Sequence, residues 1–144
     1  MQILGMTTDY LDGAAAIETE CFSHPTSRES LGKELESESS LYFAAVEDEK
    51  VIGYIGANVV LDECYIYNIV VTPEHRRRGV GTALITQVLN HCKRNSFSFA
   101  TLEVRKNNAP ARSLYSHLGF IEVGERRDYY SDPKENAILM TKYF

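Results

Sequence analysis

The chain has 144 residues, 44% of them hydrophobic, and a formal net charge of −5 at pH 7. This length allows one domain with a buried core, residues 1–144, and excludes a second domain of useful size. The acidic balance argues against direct nucleic-acid binding, and the lack of a membrane-length apolar run or a basic leader argues against membrane association or secretion. Cys21, Cys64 and Cys92 are odd in number and lack C-x-x-C spacing, so neither a disulfide framework nor a metal site is expected. We therefore expect a cytoplasmic protein.

The first half of the chain is predicted to form two helices and then three strands. Apolar residues share one side of a helix over residues 8–22, and Glu18 lies on that same side. Thr26 and Glu29 have the spacing of a capping box and predict a second helix towards residue 36. Runs of β-branched and aromatic residues predict strands at 41–46, 51–61 and 65–71.

Residues 76–82, Arg-Arg-Arg-Gly-Val-Gly-Thr, follow the third strand and precede an amphipathic helix predicted to run to about residue 95. Two glycines let the backbone turn so that N–H groups converge on a phosphate, and the N-terminus of the helix adds a positive dipole. A dinucleotide fingerprint would need glycine at Leu84 and a Walker loop would need G-K-[ST], so both match poorly. On these residues alone, a glycine turn with a solvated basic edge is as good an interpretation as a pyrophosphate site.

The second half is predicted to contain a strand, a helix and a closing hairpin, at residues 97–105, 109–118, 120–130 and 137–143. In the first of these strands Glu103 alternates with Leu102 and Val104, so its side chain is expected to leave the core face. Gly119 suits a left-handed C-terminal helix cap.

The order R-x-x-G-x-G, after a strand and at the start of a helix, resembles the acetyl-CoA loop of the GNAT acetyltransferases, with Arg76 where that family has Gln or Arg. Leu102-Glu103-Val104-Arg105, Asn108 and residues 113–120 are similar to the family's second half, so the resemblance extends from about residue 62 to the C-terminus. Three strings are most similar to the bacterial ribosomal-protein-alanine N-acetyltransferases, the RimI type: 68–71, 102–108 and 126–130. The resemblance implies an α/β fold of mixed α+β type, with a central mixed, mostly antiparallel sheet and helices on both faces.

The resemblance also implies an enzyme that uses acetyl-CoA as its acetyl donor. The residues implied to bind it are Ile69, Val70, Val71, Arg76, Arg77, Arg78, Gly79, Val80, Gly81, Thr82 and Asn108, with residues 69–71 in a strand that splays from its neighbour. Glu103 matches the family's general base and Tyr115 its general acid. Without the family, residues 69–71 would be an ordinary buried strand, Glu103 a solvated carboxylate, Tyr115 a core aromatic and Asn108 a helix N-cap.

The implied acceptor is the N-terminal α-amine of a protein, namely the N-terminal alanine of a small-subunit ribosomal protein. An α-amine titrates at about 7.7 to 8.0 and lysine at about 10.4, so a modest base deprotonates the chain terminus more easily. The residues expected to frame the peptide are Phe22, Thr26, Tyr129 and Tyr130.

Two alternatives remain open from the sequence. An acetyltransferase for a small-molecule amine or another peptide would keep the same chemistry, whereas a non-catalytic acyl-CoA-binding module would need only the glycine loop. The pair Glu103 and Tyr115 argues against the module. Thr26 stands where RimI-type sequences usually have Trp, so the peptide pocket is expected to differ from theirs. Asn136 stands where many relatives have Asp, so a charge role at that position is not expected to carry over.

Overall fold

The computed structural model describes residues 1–144 and contains a seven-stranded sheet with four α-helices. The strands are β1 (Gln2–Gly5), β2 (Ser40–Glu47), β3 (Lys50–Val60), β4 (Glu63–Val71), β5 (Phe99–Arg105), β6 (Ile121–Ser131) and β7 (Lys134–Tyr143). The helices are α1 (Leu11–Cys21), α2 (Arg28–Glu36), α3 (Val80–Arg94) and α4 (Ala109–His117). The strand order is β1-β2-β3-β4-β5-β7-β6, and every neighbouring pair is antiparallel except β4 and β5, which are parallel. The predicted mixed, mostly antiparallel sheet is confirmed.

The helices cover the two faces of this sheet and enclose a separate core on each. The larger core lies beneath α3 and α4 and includes Leu84, Ile85, Val88, Leu102, Val104 and Met140. The smaller core lies beneath α1 and α2 and includes Leu11, Ile17, Leu31, Tyr42 and Tyr54. Helix α1 packs on β3 and β4, and α2 packs on β2. These two helices therefore lie over the half of the sheet that contains β2, β3 and β4.

Three expectations from the sequence need correction at the N-terminal end. Strand β1 was not predicted, and the first helix is a short 3-10 turn, Thr8–Tyr10, followed by α1. The cap of α2 is Ser27, whose hydroxyl accepts a hydrogen bond from the Ser30 N–H at 3.1 Å, so Thr26 and Glu29 do not form a capping box. The physical reason is that the Thr26 backbone N–H donates a hydrogen bond to a carboxylate oxygen of Glu18 at 3.5 Å. This contact holds Thr26 outside the helix.

The sheet splits between β4 and β5. The parallel pairing joins Glu63–Ile66 to Phe99–Leu102 and ends there, whereas β4 continues to Val71. A register shift between β3 and β4 leaves Tyr67 without a pairing residue on β3, because Gly56 pairs with Asn68 and Ala57 pairs with Ile66. The bulge increases the local twist of β4, and residues 67–71 therefore present a strand edge that β5 does not cover.

Candidate active site

A groove of about 410 Å³ lies at this split, between the free end of β4, the loop before α3 and the first turns of α4. Most of the side chains predicted to bind acetyl-CoA line it, together with the predicted general acid: Ile69, Val71, Arg76, Arg77, Gly79, Val80, Gly81, Thr82, Asn108 and Tyr115. The fold therefore brings together residues that are up to 46 positions apart in the sequence, from Ile69 to Tyr115.

The loop before α3 turns through two residues with positive φ, Arg77 at 63° and Gly79 at 79°. Gly79 is the N-cap of α3 and has no side chain to satisfy the first N–H groups of that 15-residue helix, so those donors remain available to an anion. A Cβ placed on Gly81 would come no nearer than 4.0 Å to Ile69 and Val71, so the protein itself leaves room there. Backbone donors with open space in front of them are what a pyrophosphate requires.

The three adjacent arginines have different roles. Arg77 lines the groove. The Arg76 Nε donates a hydrogen bond to the Val71 carbonyl oxygen at 3.1 Å, which ties the loop to the end of β4. Arg78 instead forms an ion pair with Glu47 at 3.2 Å, outside the groove. The side chain of Arg78 therefore does not line the groove, although the family resemblance predicted that this residue binds acetyl-CoA.

The assignment of Val70 to acetyl-CoA concerns its backbone and stays a prediction, because its side chain lies away from the groove. Its neighbours Ile69 and Val71 line the groove, but Val70 is buried in the smaller core beneath α1 because strand residues alternate between faces. Only its backbone remains available at the split.

Asn108 combines the two roles that the sequence left open. Its side-chain oxygen accepts a hydrogen bond from the Ala111 N–H at 3.2 Å and so caps α4, while the residue also lines the groove. Four further lining residues were not predicted: His75, Pro110, Ala111 and Leu114. Ala111 and Leu114 share a helical stripe with Tyr115, a signal that could have identified them, whereas no local pattern marks His75.

Tyr115 is packed into the larger core with 6% of its surface exposed, and its ring lies 5.9 Å from that of Phe120. Burial raises the pKa of its phenol above the ordinary value. It is therefore both the core aromatic and the groove residue that the sequence allowed, and its hydroxyl keeps its proton at neutral pH.

Glu103 lies on the opposite face of β5 from Leu102 and Val104, as the alternation predicted. One of its oxygens receives a hydrogen bond from the Arg126 Nε at 3.1 Å. The neighbouring Glu103 carboxylate raises the pKa of the Tyr129 phenol. Glu103 is thus held by residues of β6, which could not be foreseen from local sequence.

Tyr130 interacts electrostatically with both the predicted base and the predicted acid. Burial raises the pKa of Tyr130 to about 12, and electrostatic interactions with Glu103 and Tyr115 act in the same direction. The Arg105 guanidinium lies 4.3 Å from the centre of its ring. The predicted base and acid therefore both lie within electrostatic reach of one side chain.

The two segments expected to frame an acceptor also meet. His24, in the loop after α1, lies 3.5 Å from the Asp132 carboxylate in the turn between β6 and β7. Phe22 is 43% exposed at the start of that loop, and Tyr129 is 52% exposed on the hairpin. Asn136 accepts a hydrogen bond from the Asp128 N–H at 2.9 Å, so its role is to hold the irregular stretch of β6.

The model of the Acetyltransferase (GNAT) family matches residues 11–120. The chain belongs to the GNAT acetyltransferase family. It is an N-acetyltransferase that depends on acetyl-CoA, and the groove at the split has the donors and the space that the pyrophosphate of this thioester needs.

Proteins similar to this enzyme include two bacterial enzymes named [ribosomal protein bS18]-alanine N-acetyltransferase. The one from Escherichia coli (strain K12) is 36% identical over 136 residues, which are 93% of this chain and 90% of the relative. The one from Salmonella typhimurium is 36% identical over 137 residues, with the same coverage of 93% and 90%. The crystal structure of the Escherichia coli ribosomal-protein-S18-alanine N-acetyltransferase matches with a TM-score of 0.91 at 33% identity, over 99% of this chain and 92% of that chain.

A more distant structure shares the fold. The paia N-acetyltransferase from Thermoplasma acidophilum, solved in complex with coenzyme A, matches with a TM-score of 0.80 at 18% identity over the full length of both chains. None of the four helices of this enzyme has the length and apolar character needed to cross a membrane.

Proposed function

We propose that this enzyme transfers the acetyl group of acetyl-CoA to the N-terminal alanine of a small-subunit ribosomal protein, with Glu103 as general base and Tyr115 as general acid. The observation that carries the proposal is the placement of these two side chains beside the split where β4 is unpaired. Glu103 projects from one face of β5, and Tyr115 of α4 lies in the larger core on the other face of the sheet. A carboxylate on one side and a protonated phenol on the other can serve the amine and the leaving thiolate separately.

The groove residues act on the donor. The N–H groups at the start of α3 and the Arg77 side chain are placed to bind the pyrophosphate of acetyl-CoA. Asn108 is placed to bind a polar group further along the same cofactor. The uncovered edge of β4 supplies backbone hydrogen-bond groups for the pantetheine arm and for polarising the thioester carbonyl. Acetyl-CoA supplies the activated acetyl group, and the chain supplies position and proton transfer.

The proton steps fall to Glu103 and Tyr115. Glu103 takes a proton from the incoming ammonium, directly or through a water, so that the amine nitrogen has a free electron pair. The new carbon–nitrogen bond forms as the carbon–sulfur bond breaks, and Tyr115 gives its proton to the departing sulfur, so that CoA leaves as a thiol. The second proton on the nitrogen then returns to the Tyr115 oxygen, which leaves a neutral amide and restores the phenol. A phenol with a raised pKa remains protonated at neutral pH and suits a thiolate, whose pKa is about 8.5.

The choice of acceptor rests on three observations. The two similar bacterial enzymes act, by their names, on an alanine of ribosomal protein bS18. The loop after α1 and the turn between β6 and β7 meet through His24 and Asp132, and Tyr129 of the same hairpin interacts with Glu103. The net charge of −5 favours a basic polypeptide, and an α-amine needs a weaker base than lysine does. A ribosomal acceptor would place the reaction in the cytoplasm.

The test is a CoA-release assay over four acceptors: an Ala-initiated basic peptide, the same peptide with a blocked N-terminus and an internal lysine, a neutral Ala-initiated peptide, and small amines. We expect the first to react fastest. Faster reaction of small amines would support the alternative acetyltransferase, and no release with any acceptor would support a binding module. Equal rates for the free and blocked peptides would overturn the proposal.

A further inference from the structure

The loop that carries the three arginines is attached to β2 by one carboxylate, that of Glu47. The Arg78 Nη2 donates to both oxygens of this carboxylate, at 3.2 and 3.3 Å. The His75 Nε2 lies 3.5 Å from one of the same oxygens. Because His75 and Arg78 flank Arg76 and Arg77 in the sequence, Glu47 contacts the loop on both sides of those two arginines.

Strand pairing brings Glu47 to this loop. Strand β2 ends at Glu47, which pairs with Lys50 across a two-residue turn, and Gly53 of β3 pairs with Val71 at the end of β4. Both residues of the turn, 48 and 49, have positive φ, at 51° and 64°, as in tight hairpin turns. The turn after β2 and the loop after β4 therefore lie at the same end of the sheet.

The contacts of Glu47 are partly withdrawn from solvent. The side chains of Glu47 and His75 are 27% and 18% exposed. The other ring nitrogen of His75, Nδ1, lies 2.7 Å from the Thr72 hydroxyl, so the imidazole is held from both sides. Partly buried charges are screened by salt less than exposed ones. These contacts are therefore suited to holding the loop in one conformation.

The loop needs such support because of its backbone. Arg77 has a φ of 63°, a value that residues with a Cβ rarely adopt and keep where neighbouring contacts hold them. This residue lines the groove at the split, beside the N-cap Gly79 and the first N–H groups of α3. Glu47 does not line the groove, so any effect it has on the cofactor must pass through the loop.

We infer that Glu47 is a positioning residue for acetyl-CoA: by holding His75 and Arg78, it fixes the loop so that Arg77 and the start of α3 face the pyrophosphate. The inference rests on the proposed placement of the pyrophosphate at this loop. It predicts an effect opposite to that of charge alone. Removing a negative charge near a bound anion should strengthen binding by simple electrostatics, whereas releasing the loop should weaken it.

The test is calorimetry of acetyl-CoA binding to Glu47→Gln, which keeps the shape of the side chain and removes its charge. We expect Kd to rise about fivefold, which corresponds to an ion pair at the upper end of the range for exposed pairs. The KM for acetyl-CoA should rise in parallel, with kcat close to that of the wild type. Asp12→Asn is the matched control, because it removes an ion pair with Arg28 at 2.5 Å that lies outside the groove.

A second donor separates positioning from general damage to the fold. S-acetyl-pantetheine lacks the pyrophosphate, so its kcat/KM should be the same for Glu47→Gln and the wild type. An equal loss with both donors would overturn the inference.

The sign of the affinity change separates the remaining outcomes. Unchanged or tighter acetyl-CoA binding by Glu47→Gln would overturn the inference, and tighter binding would show that Glu47 acts only through its charge. If Gly81→Val also binds acetyl-CoA as the wild type does, the proposed placement of the pyrophosphate fails. If Gly81→Val weakens binding and Glu47→Gln does not, only the role of Glu47 fails.

Discussion

The carboxylate of Glu18, buried beneath α1, accepts a hydrogen bond from the Tyr54 hydroxyl on β3. The Asn68 side-chain amide donates to the Tyr54 oxygen at 3.1 Å, beside the bulge in β4. Glu18 also faces the Thr26 N–H in the loop after α1. One buried carboxylate thus connects α1, the bulged strand and the loop expected to frame the acceptor.

Removing this carboxylate should destabilise the fold. Glu18→Ala leaves the Tyr54 hydroxyl buried without its acceptor, which costs about 1–3 kcal/mol. The measurement is the free energy of unfolding in urea. Glu20→Ala on the same helix is the control, because Glu20 is exposed and its loss should change stability by less than about 0.5 kcal/mol. Equal unfolding midpoints for the two variants would show that Glu18 is not a structural anchor.

Gly81→Val should weaken acetyl-CoA binding without unfolding the protein. The space in front of Gly81 has no protein atom within 4.0 Å of a Cβ except the tips of Ile69 and Val71, so a side chain there would occupy the groove. Calorimetry should show an affinity loss of about tenfold or more, equivalent to about 1.4 kcal/mol. Gly32→Ala on α2, where the new Cβ meets only Leu11 at 3.6 Å, should bind as wild type. Unchanged affinity in a folded Gly81→Val enzyme would remove the loop from the cofactor site.

Glu103→Gln and Tyr115→Phe keep the shape of each side chain and remove its proton chemistry. Each should lower kcat by about 10²- to 10⁴-fold, the usual contribution of a general acid or base, with acetyl-CoA affinity nearly unchanged. Steady-state kinetics with calorimetry separates these two effects. Wild-type turnover in both variants would refute the assigned roles.

The pH dependence of kcat should reflect the buried phenol. Because burial raises the pKa of Tyr115, its protonated, active form persists above the ordinary phenol value of about 10. We therefore expect activity to persist on the alkaline side and to be lost only as the pH rises through the raised pKa of Tyr115. An alkaline decrease centred well below pH 10 in wild type, and absent in Tyr115→Phe, would contradict this account.

The parts of the molecule that local patterns determine were predictable. The two-residue alternation around Glu103 and the helical stripe of α3 gave the correct elements, because burial of one face imposes those periods. Strand β1 escaped prediction because Gln2–Gly5 is only four residues long and is defined by its pairing with β2. Its register depends on a partner that lies about 40 residues away in the sequence.

Contacts between distant segments account for the rest of the site. The Arg126 partner of Glu103 and the ion pair of Arg78 with Glu47 depend on how the strands and the loop come together in space. Strand alternation predicts that Val70 faces away from its neighbours Ile69 and Val71. It does not predict which of the two faces of the strand borders the groove. The roles of Glu103 and Tyr115 come from the family resemblance and stay predictions, whereas the split between β4 and β5 is visible only in the structure.

The most direct test of the central claim is to locate the acetyl group after reaction. Purified ribosomal protein bS18 with a free N-terminal alanine would be incubated with this enzyme and acetyl-CoA, digested and analysed by tandem mass spectrometry. We expect one acetyl group on the alanine α-amine, and none when Glu103→Gln replaces the wild-type enzyme over the same time. Acetylation confined to lysine side chains, or no acetylation by an enzyme that binds acetyl-CoA, would contradict it.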